Sequence, residues 1–302
     1  MSVKTVQAVV NGVTTTLTLN STTGKYEATI TAPGKSSYNQ AGKYYSVTIK
    51  ATDDAGNTTT KDATDATLGS SLKLVVKEKV APVITITSPT ASATLTNNKP
   101  AITWTVTDDD SGVNPDSIKL VIDSSAISSS SITKTAITNG YSCSYTPATA
   151  LTDGSHTIKA DASDNDGNAA TQKAVTFKVD TVPPTLSVTA PANGLITNKV
   201  SCVVSGTTND AISSPVTLTV KLNSGSATAV TVNADGTFST TVTLASGSNT
   251  LTIVAKDGAG KITTVTRTVT LDTVAPVFKS VTLTPNPVDA GKTYVISVEV
   301  TD

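Results

Sequence analysis

Acid–base chemistry at neutral pH calls first for an imidazole, and the sequence holds one, His156. It lies in Thr152-Asp153-Gly154-Ser155-His156-Thr157-Ile158, a turn that enters a strand, with no Cys or Glu close by in sequence. Zinc needs three or four protein ligands, and a serine nucleophile needs a base held against it by a third group. His156 is therefore read as an exposed strand residue. The many serines nowhere form a Gly-x-Ser-x-Gly elbow. Paired carboxylates can cleave glycosides, but the aspartates here gather among Gly and Asn, which is turn composition. The chain is expected to be no enzyme and to require no cofactor.

Oxygen-rich loops suit a hard cation better. Calcium takes six to eight oxygen ligands in flexible geometry. Asp108-Asp109-Asp110, Asp164-Asn165-Asp166 and the linker acids Glu78, Asp180 and Asp272 supply such oxygens near the junctions between repeats. Ca2+ at Asp108, Asp109, Asp110, Asp164, Asp166, Asp180 and Asp272 is the one metal expectation the sequence supports. An EF-hand starting at Asp164 fails, because its sixth position is Ala169 instead of Gly and its twelfth is Val175 instead of Glu. The competing reading is that these acids cap turns in solvent.

The remaining chemistry-bearing side chains read as structure. Trp104 could stack on a sugar, but it shares its phase with Ile102 and Val106 and is assigned to the core. Cys143 and Cys202 stand on the inward phase of two strands in different repeats, so they are read as small buried hydrophobes with no disulfide between them. The first repeat carries Tyr26, Tyr38, Tyr44 and Tyr45; Tyr38, in the loop 34–42, is the aromatic expected to be exposed and available for binding.

What must position these residues is a set of strands. Hydrophobic residues make up 37% and aromatics 4% of the chain, so each core has to be thin and built from Val, Ile, Leu and Thr methyls. Thr alternates with Val or Ile over 216–220 and 265–269, which puts one residue type on each face of a strand. No segment keeps apolar residues at helical spacing over three turns, and essentially no helix is expected. The formal charge is −1 and the 22 Lys and Arg residues are scattered, which argues against nucleic acid as a partner. No apolar run reaches the ~20 residues of a membrane span, and residues 1–10 lack the basic start and apolar stretch of a secretory signal. Export is expected to use another route or a longer precursor.

Three linkers divide the chain: Val80-Ala81-Pro82, Val182-Pro183-Pro184 and Val274-Ala275-Pro276. They recur about every 100 residues, the size of a small sandwich. A proline at a strand start removes a ladder donor and fixes φ, so the junctions are expected to be stiff. Ahead of each linker comes a second repeat, Ala51-Thr52-Asp53-Asp54-Ala55-Gly56-Asn57, then 162–168, then 255–261, whose Asp, Asn and Gly fit a hairpin loop. Another hairpin recurs at 19–26 and 232–238, with Asn139-Gly140-Tyr141 as a shorter version, and its aromatic is expected to plug the core. The segment 276–302 repeats the length and the Val-Thr-Asp ending of 82–108. The reading is all-β: tandem immunoglobulin-like antiparallel β-sandwiches in an elongated beads-on-a-string arrangement, with domains at 1–80, 81–182 and 183–274 and a truncated start of a fourth at 275–302.

Asp272-Thr273-Val274-Ala275-Pro276, Asp53-Asp54-Ala55-Gly56-Asn57 and the stretch from Trp104 to Val113 resemble the bacterial Ig-like repeat domains of surface adhesins, multidomain secreted enzymes and phage tail proteins. A methionine start without a signal peptide, and the segment Leu283-Thr284-Pro285-Asn286-Pro287, are similar to phage structural proteins of Gram-positive bacteria. The resemblance implies a structural, spacer or adhesive segment of a phage tail or similar extracellular appendage. Its alternatives are a bacterial cell-surface adhesin stalk and an accessory region of a secreted carbohydrate-active enzyme. It implies as partners other appendage proteins or host cell-surface glycans and proteins, and as location the virion or the bacterial cell surface. In related adhesins, calcium at the junctions stiffens the rod.

Overall fold

A computed structural model describes residues 2–302. Among them the helical pieces are short 3-10 turns, Ala41–Lys43, Gly69–Leu72, Pro115–Ser117 and Ser129–Ser131. Everything else that is regular is strand, as the alternating Thr, Val and Ile dictate. The chain divides into two compact units, one ending at Val179 and one starting at Asp180.

The sandwich built from residues 83–179 shows how sequence phase becomes a core. Ile102–Thr107 pairs antiparallel with Val83–Ser88 on one side and Gly140–Tyr145 on the other, and Thr133–Ile137 completes that sheet. Its inward residues Ile102, Trp104 and Val106 are buried. They face Ile118, Leu120, Ile158, Ala160 and Phe177 of a second sheet, in which Lys119–Ile122, Gly154–Asp161 and Lys173–Val179 are neighbours. Each such aliphatic or aromatic side chain, fully buried, contributes roughly 1.5–3 kcal/mol. Cys143 joins this core as a free thiol, and burial pushes its pKa up to about 11.

The first strand serves both sheets. Val83–Ser88 stops before Pro89, and after the break Thr94–Leu95 pairs parallel with Lys173–Val179 of the opposite sheet. A proline cannot donate to the ladder, so the chain leaves one sheet there and can join the other.

The second unit repeats the device. Thr185–Ala190 stops before Pro191, and Leu195–Thr197 pairs parallel with Ile262–Leu271. Thr185–Ala190, Ser201–Asn209 and Thr237–Thr243 form one sheet; Leu195–Thr197, Ile262–Leu271, Gly247–Lys256, Thr217–Leu222 and Thr228–Val230 form the other. Val204, Leu218, Phe238, Leu251, Ile253 and Val269 fill the space between them. Phe238, the aromatic after the 232–238 turn, plugs this core at 2% exposure. Tyr26 and Tyr141, at the matching place in the other hairpins, are only half-buried.

The stretch 3–74 is built differently. Its strands hydrogen-bond into one six-stranded sheet, with Val3–Val10 between Val13–Asn20 and Tyr45–Asp53. Val6, Ala8, Val10 and Tyr45 are its buried apolar side chains. Val277–Thr284 and Val295–Thr301 pair as a hairpin whose residues are all exposed.

Candidate metal centres

Two clusters of carboxylates form where strand ends from both sheets of a sandwich meet. In the first unit, Glu78, Asp108 and Asp164 each bring a carboxylate oxygen within 4.8 Å of the others. Asp108 follows Ile102–Thr107 and accepts the N–H groups of Asp110 and Gly112 at 3.1 and 2.7 Å. Asp164 opens the hairpin loop and accepts from Asn168 twice, Oδ1 from the backbone N–H at 2.8 Å and Oδ2 from Nδ2 at 2.6 Å. Glu78 comes from the linker and accepts the Ser111 N–H at 2.6 Å. Burial raises the Glu78 pKa above the ordinary carboxylate range; the Ser111 donors oppose this, and the charges of Asp108 and Asp110 add to the rise.

In the second unit Asp180, Asp210 and Asp257 meet the same distance criterion. They are 0%, 9% and 5% exposed. Asp210 accepts the N–H groups of Ile212 and Ser213 at 2.9 and 2.7 Å. Asp180 accepts from Val182 N–H and from the Ser213 hydroxyl. Asp257 Oδ1 accepts the Lys261 N–H at 2.8 Å. The two loops that carry Asp210 and Asp257 are tied by Gly258 N–H, which donates to the Ser213 carbonyl at 2.8 Å. A Cβ on Gly258 would stand 2.9 Å from that oxygen, so a side chain there would push the loops apart.

The clusters are copies of one arrangement. Glu78 and Asp180 precede the linker prolines Pro82 and Pro184 by the same interval, Asp108 and Asp210 follow them by the same interval, and Asp164 and Asp257 open the same hairpin loop. Of the acids singled out in the sequence, Glu78, Asp108 and Asp164 are brought together and Asp180 joins the other cluster. The rest bond elsewhere. Asp109 is exposed and accepts from Asn139 Nδ2 at 2.7 Å. Asp110 accepts the Ser36 N–H at 3.0 Å, which ties a loop of the first stretch to the sandwich, and Asp166 accepts the Glu78 N–H at 3.0 Å, which ties the linker to it. Asp272 accepts the Val274 N–H at 3.0 Å. Asp210 and Asp257 escaped the sequence reading, although adding the Pro82-to-Pro184 interval to Asp108 points straight at Asp210.

Residues 82–160 match the family model of the bacterial Ig domain. That segment is an Ig-like domain. Residues 184–273 match the model of glucodextranase domain B. Among solved structures, the chain is similar to the fibronectin(III)-like modules of Clostridium thermocellum CbhA, at 18% identity and a TM-score of 0.38 over 63% of this chain and 94% of that one. It is also similar to Sidekick-1 immunoglobulin domains 1–5, at 12% identity and a TM-score of 0.39 over 99% of this chain and 60% of that one. No curated protein matches the chain.

Within the Ig domain, His156 departs from the exposed residue expected of it. It is 5% exposed, because it stands in phase with Ile158 and Ala160 on the inward face of its strand, 5.7 Å from the Phe177 ring. Nδ1 lies 2.5 Å from Asp123 Oδ2 and Nε2 2.6 Å from the Thr152 carbonyl. Burial pulls the imidazolium pKa down, but the Asp123 hydrogen bond, the Thr152 carbonyl and the Asp123 charge outweigh it, and the net shift is upward. A ring held this way is a structural clamp, with neither nitrogen available to take a proton from a substrate. Trp104 is in the core of the Ig domain at 1% exposure, with its Nε1 unpartnered. Outside the Ig domain, Tyr38 is half-buried, with the Lys43 ammonium 3.9 Å above its ring, and offers less free face than its loop position suggested. No helix among the described residues is long and apolar enough to cross a membrane.

Proposed function

We propose that the chain is a non-catalytic segment of tandem Ig-like domains, divided at 1–80, 81–182, 183–274 and 275–302, that spaces or presents other parts of an extracellular appendage. The observation that carries this is the pair of closed cores at 84–179 and 188–271, with Asp164 and Asp257 bonded to their own hairpin loops. The lone imidazole fits the same reading, since both its nitrogens are engaged. A phage tail, another virion surface or a bacterial cell-surface stalk would each use such a segment, with appendage proteins or host-surface glycans and proteins as partners. Single-molecule stretching of the full chain tests it. The reading expects separate unfolding events with contour increments of roughly 30 nm, the extended length of one repeat at ~3.3–3.6 Å per residue. One event releasing most of the chain would overturn it.

A second reading has its own support. The match of residues 184–273 to domain B of glucodextranase favours an accessory role beside a carbohydrate-active catalytic domain. The same spacing function serves both readings; what differs is the neighbour.

A further inference from the structure

The recurring strands leave two bare surfaces that fit each other. In the second unit the hairpin aromatic Phe238 lies in Thr237–Thr243, which pairs with Ser201–Asn209, and Thr185–Ala190 completes that sheet. In the facing sheet, Thr217–Leu222 and Gly247–Lys256 set Leu218 opposite Ala255, Val220 opposite Ile253 and Leu222 opposite Leu251. The stretch 3–74 repeats that register, with Val6 opposite Ala51, Ala8 opposite Ile49 and Val10 opposite Val47. Its strands, however, include no counterpart of Thr185–Ala190 or Ser201–Asn209 among the described residues.

The sheet shows what it lacks. Leu251, Ile253 and Ala255 are fully buried, whereas Val47, Ile49 and Ala51 are only half-buried. The strand that carries Tyr26 ends at Glu27. Residues 28–31 follow Tyr26 as 240–243 follow Phe238, yet they belong to no strand and are exposed, Ile30 at 37%. In the complete sandwich Ser201–Asn209 pairs with that segment; in the stretch 3–74 it is a free edge, open to another strand.

The absent pair of strands has one further copy. Val277–Thr284 and Val295–Thr301 follow Pro276 as Thr185–Ala190 and Ser201–Asn209 follow Pro184. Their register sets Phe278 opposite Val300, Val281 opposite Val298 and Leu283 opposite Ile296, so six apolar side chains share one face. All six are exposed, Phe278 at 71% and Val298 at 47%. Ile102, Trp104 and Val106 have the same phase ahead of Asp108 as Ile296, Val298 and Val300 have ahead of Asp302, and they are buried. A lone hairpin with a bare apolar face has no core of its own and presents a surface for a partner.

We propose that the hairpin 277–301 of one copy closes the open sheet at 3–61 of a second copy. Val295–Thr301 adds along the free edge after Glu27, as a strand adds to a sheet in peptide recognition, and the six apolar side chains cover Val47, Ile49 and Ala51. The contact joins two different surfaces, so each joined pair still offers one open sheet and one bare hairpin, and copies add head to tail. The spacer reading holds whether or not copies join in this way.

Sedimentation of the full chain over a range of concentrations tests this. The mean mass is expected to rise from one chain to two and beyond as concentration increases, with amides at 28–32 and in Val295–Thr301 gaining hydrogen-exchange protection in step. Val298→Asp and Ile30→Asp each put a charge on one half of the contact at an exposed position, so each variant keeps its own cores. Either one alone should stay a single chain. Mixed, they should form a one-to-one dimer that grows no further, because the intact sheet of Val298→Asp takes the intact hairpin of Ile30→Asp. A full chain that stays single at every concentration would overturn the proposal, as would a mixture that fails to dimerise. Association of Ile30→Asp at the parent's level would mean that hairpins pair with one another, and of Val298→Asp that another surface is used; each outcome also overturns it.

Discussion

At the scale of single residues, His156 carries a pH dependence with a definite sign. Both neighbours of its ring, the Asp123 carboxylate and the Thr152 carbonyl, accept hydrogen bonds, so both ring nitrogens must donate and the imidazolium is the form that fits. Its folded pKa is raised above the ordinary value of about 6.5. The contribution to stability is therefore fully present below about pH 6.5 and is lost as pH rises through the folded pKa. Thermal scans between pH 6 and 9 should show the Ig domain melting lower at the alkaline end, and His156→Gln should remove that part of the slope. Equal slopes in the two proteins would mean the ring is neutral and the clamp is misassigned. The burial of His156 was legible in the sequence, since it alternates with Ile158 and Ala160. The turn in front of it suggested exposure, and the strand's period decided otherwise. Trp104 followed its phase with Ile102 and Val106. No periodicity could announce the Asp123 partner, which arrives from the end of a neighbouring strand.

At the scale of elements, alternation fixed strand identity and proline fixed where the first strand of each sandwich breaks, because both signals are local. The carboxylate clusters were not legible in the same way. Asp108 ends a strand of one sheet, Asp164 follows a strand of the other and Glu78 belongs to the linker, so only the stacking of the sheets makes them neighbours. Close approach between strands is similarly invisible until the register is known. Gly206, inside Ser201–Asn209, lies opposite Val188 and Phe238. A Cβ there would fall 2.0 Å from the Ser187 carbonyl oxygen and 2.9 Å from the Phe238 ring. Backbone stands on one side and a core aromatic on the other, so neither can yield cheaply. Gly206→Ala is expected to destabilise the second unit by about 1–3 kcal/mol, the usual cost of overpacking a core, and a urea midpoint unchanged from that of the parent chain would show that the sheet relaxes around the methyl.

At the scale of the whole molecule, the two principal cores share no residue: one is drawn from 84–179 and the other from 188–271. Apolar burial dominates folding free energy, so cores with no common members should open in separate cooperative steps. Leu120→Ala removes a side chain that is 1% exposed and packed among Ile118, Ile158 and Phe177. The loss should be about 2–5 kcal/mol, the range for a buried leucine whose cavity only partly collapses. Hydrogen exchange on the full chain should find it as lost amide protection in Ile102–Thr107 and Gly154–Asp161, with Gly247–Lys256 and Ile262–Leu271 exchanging as before. A protection loss of equal size in both sets of strands would mean that the cores unfold together, and a chain that unfolds as one body could not act as a series of separately folded spacers.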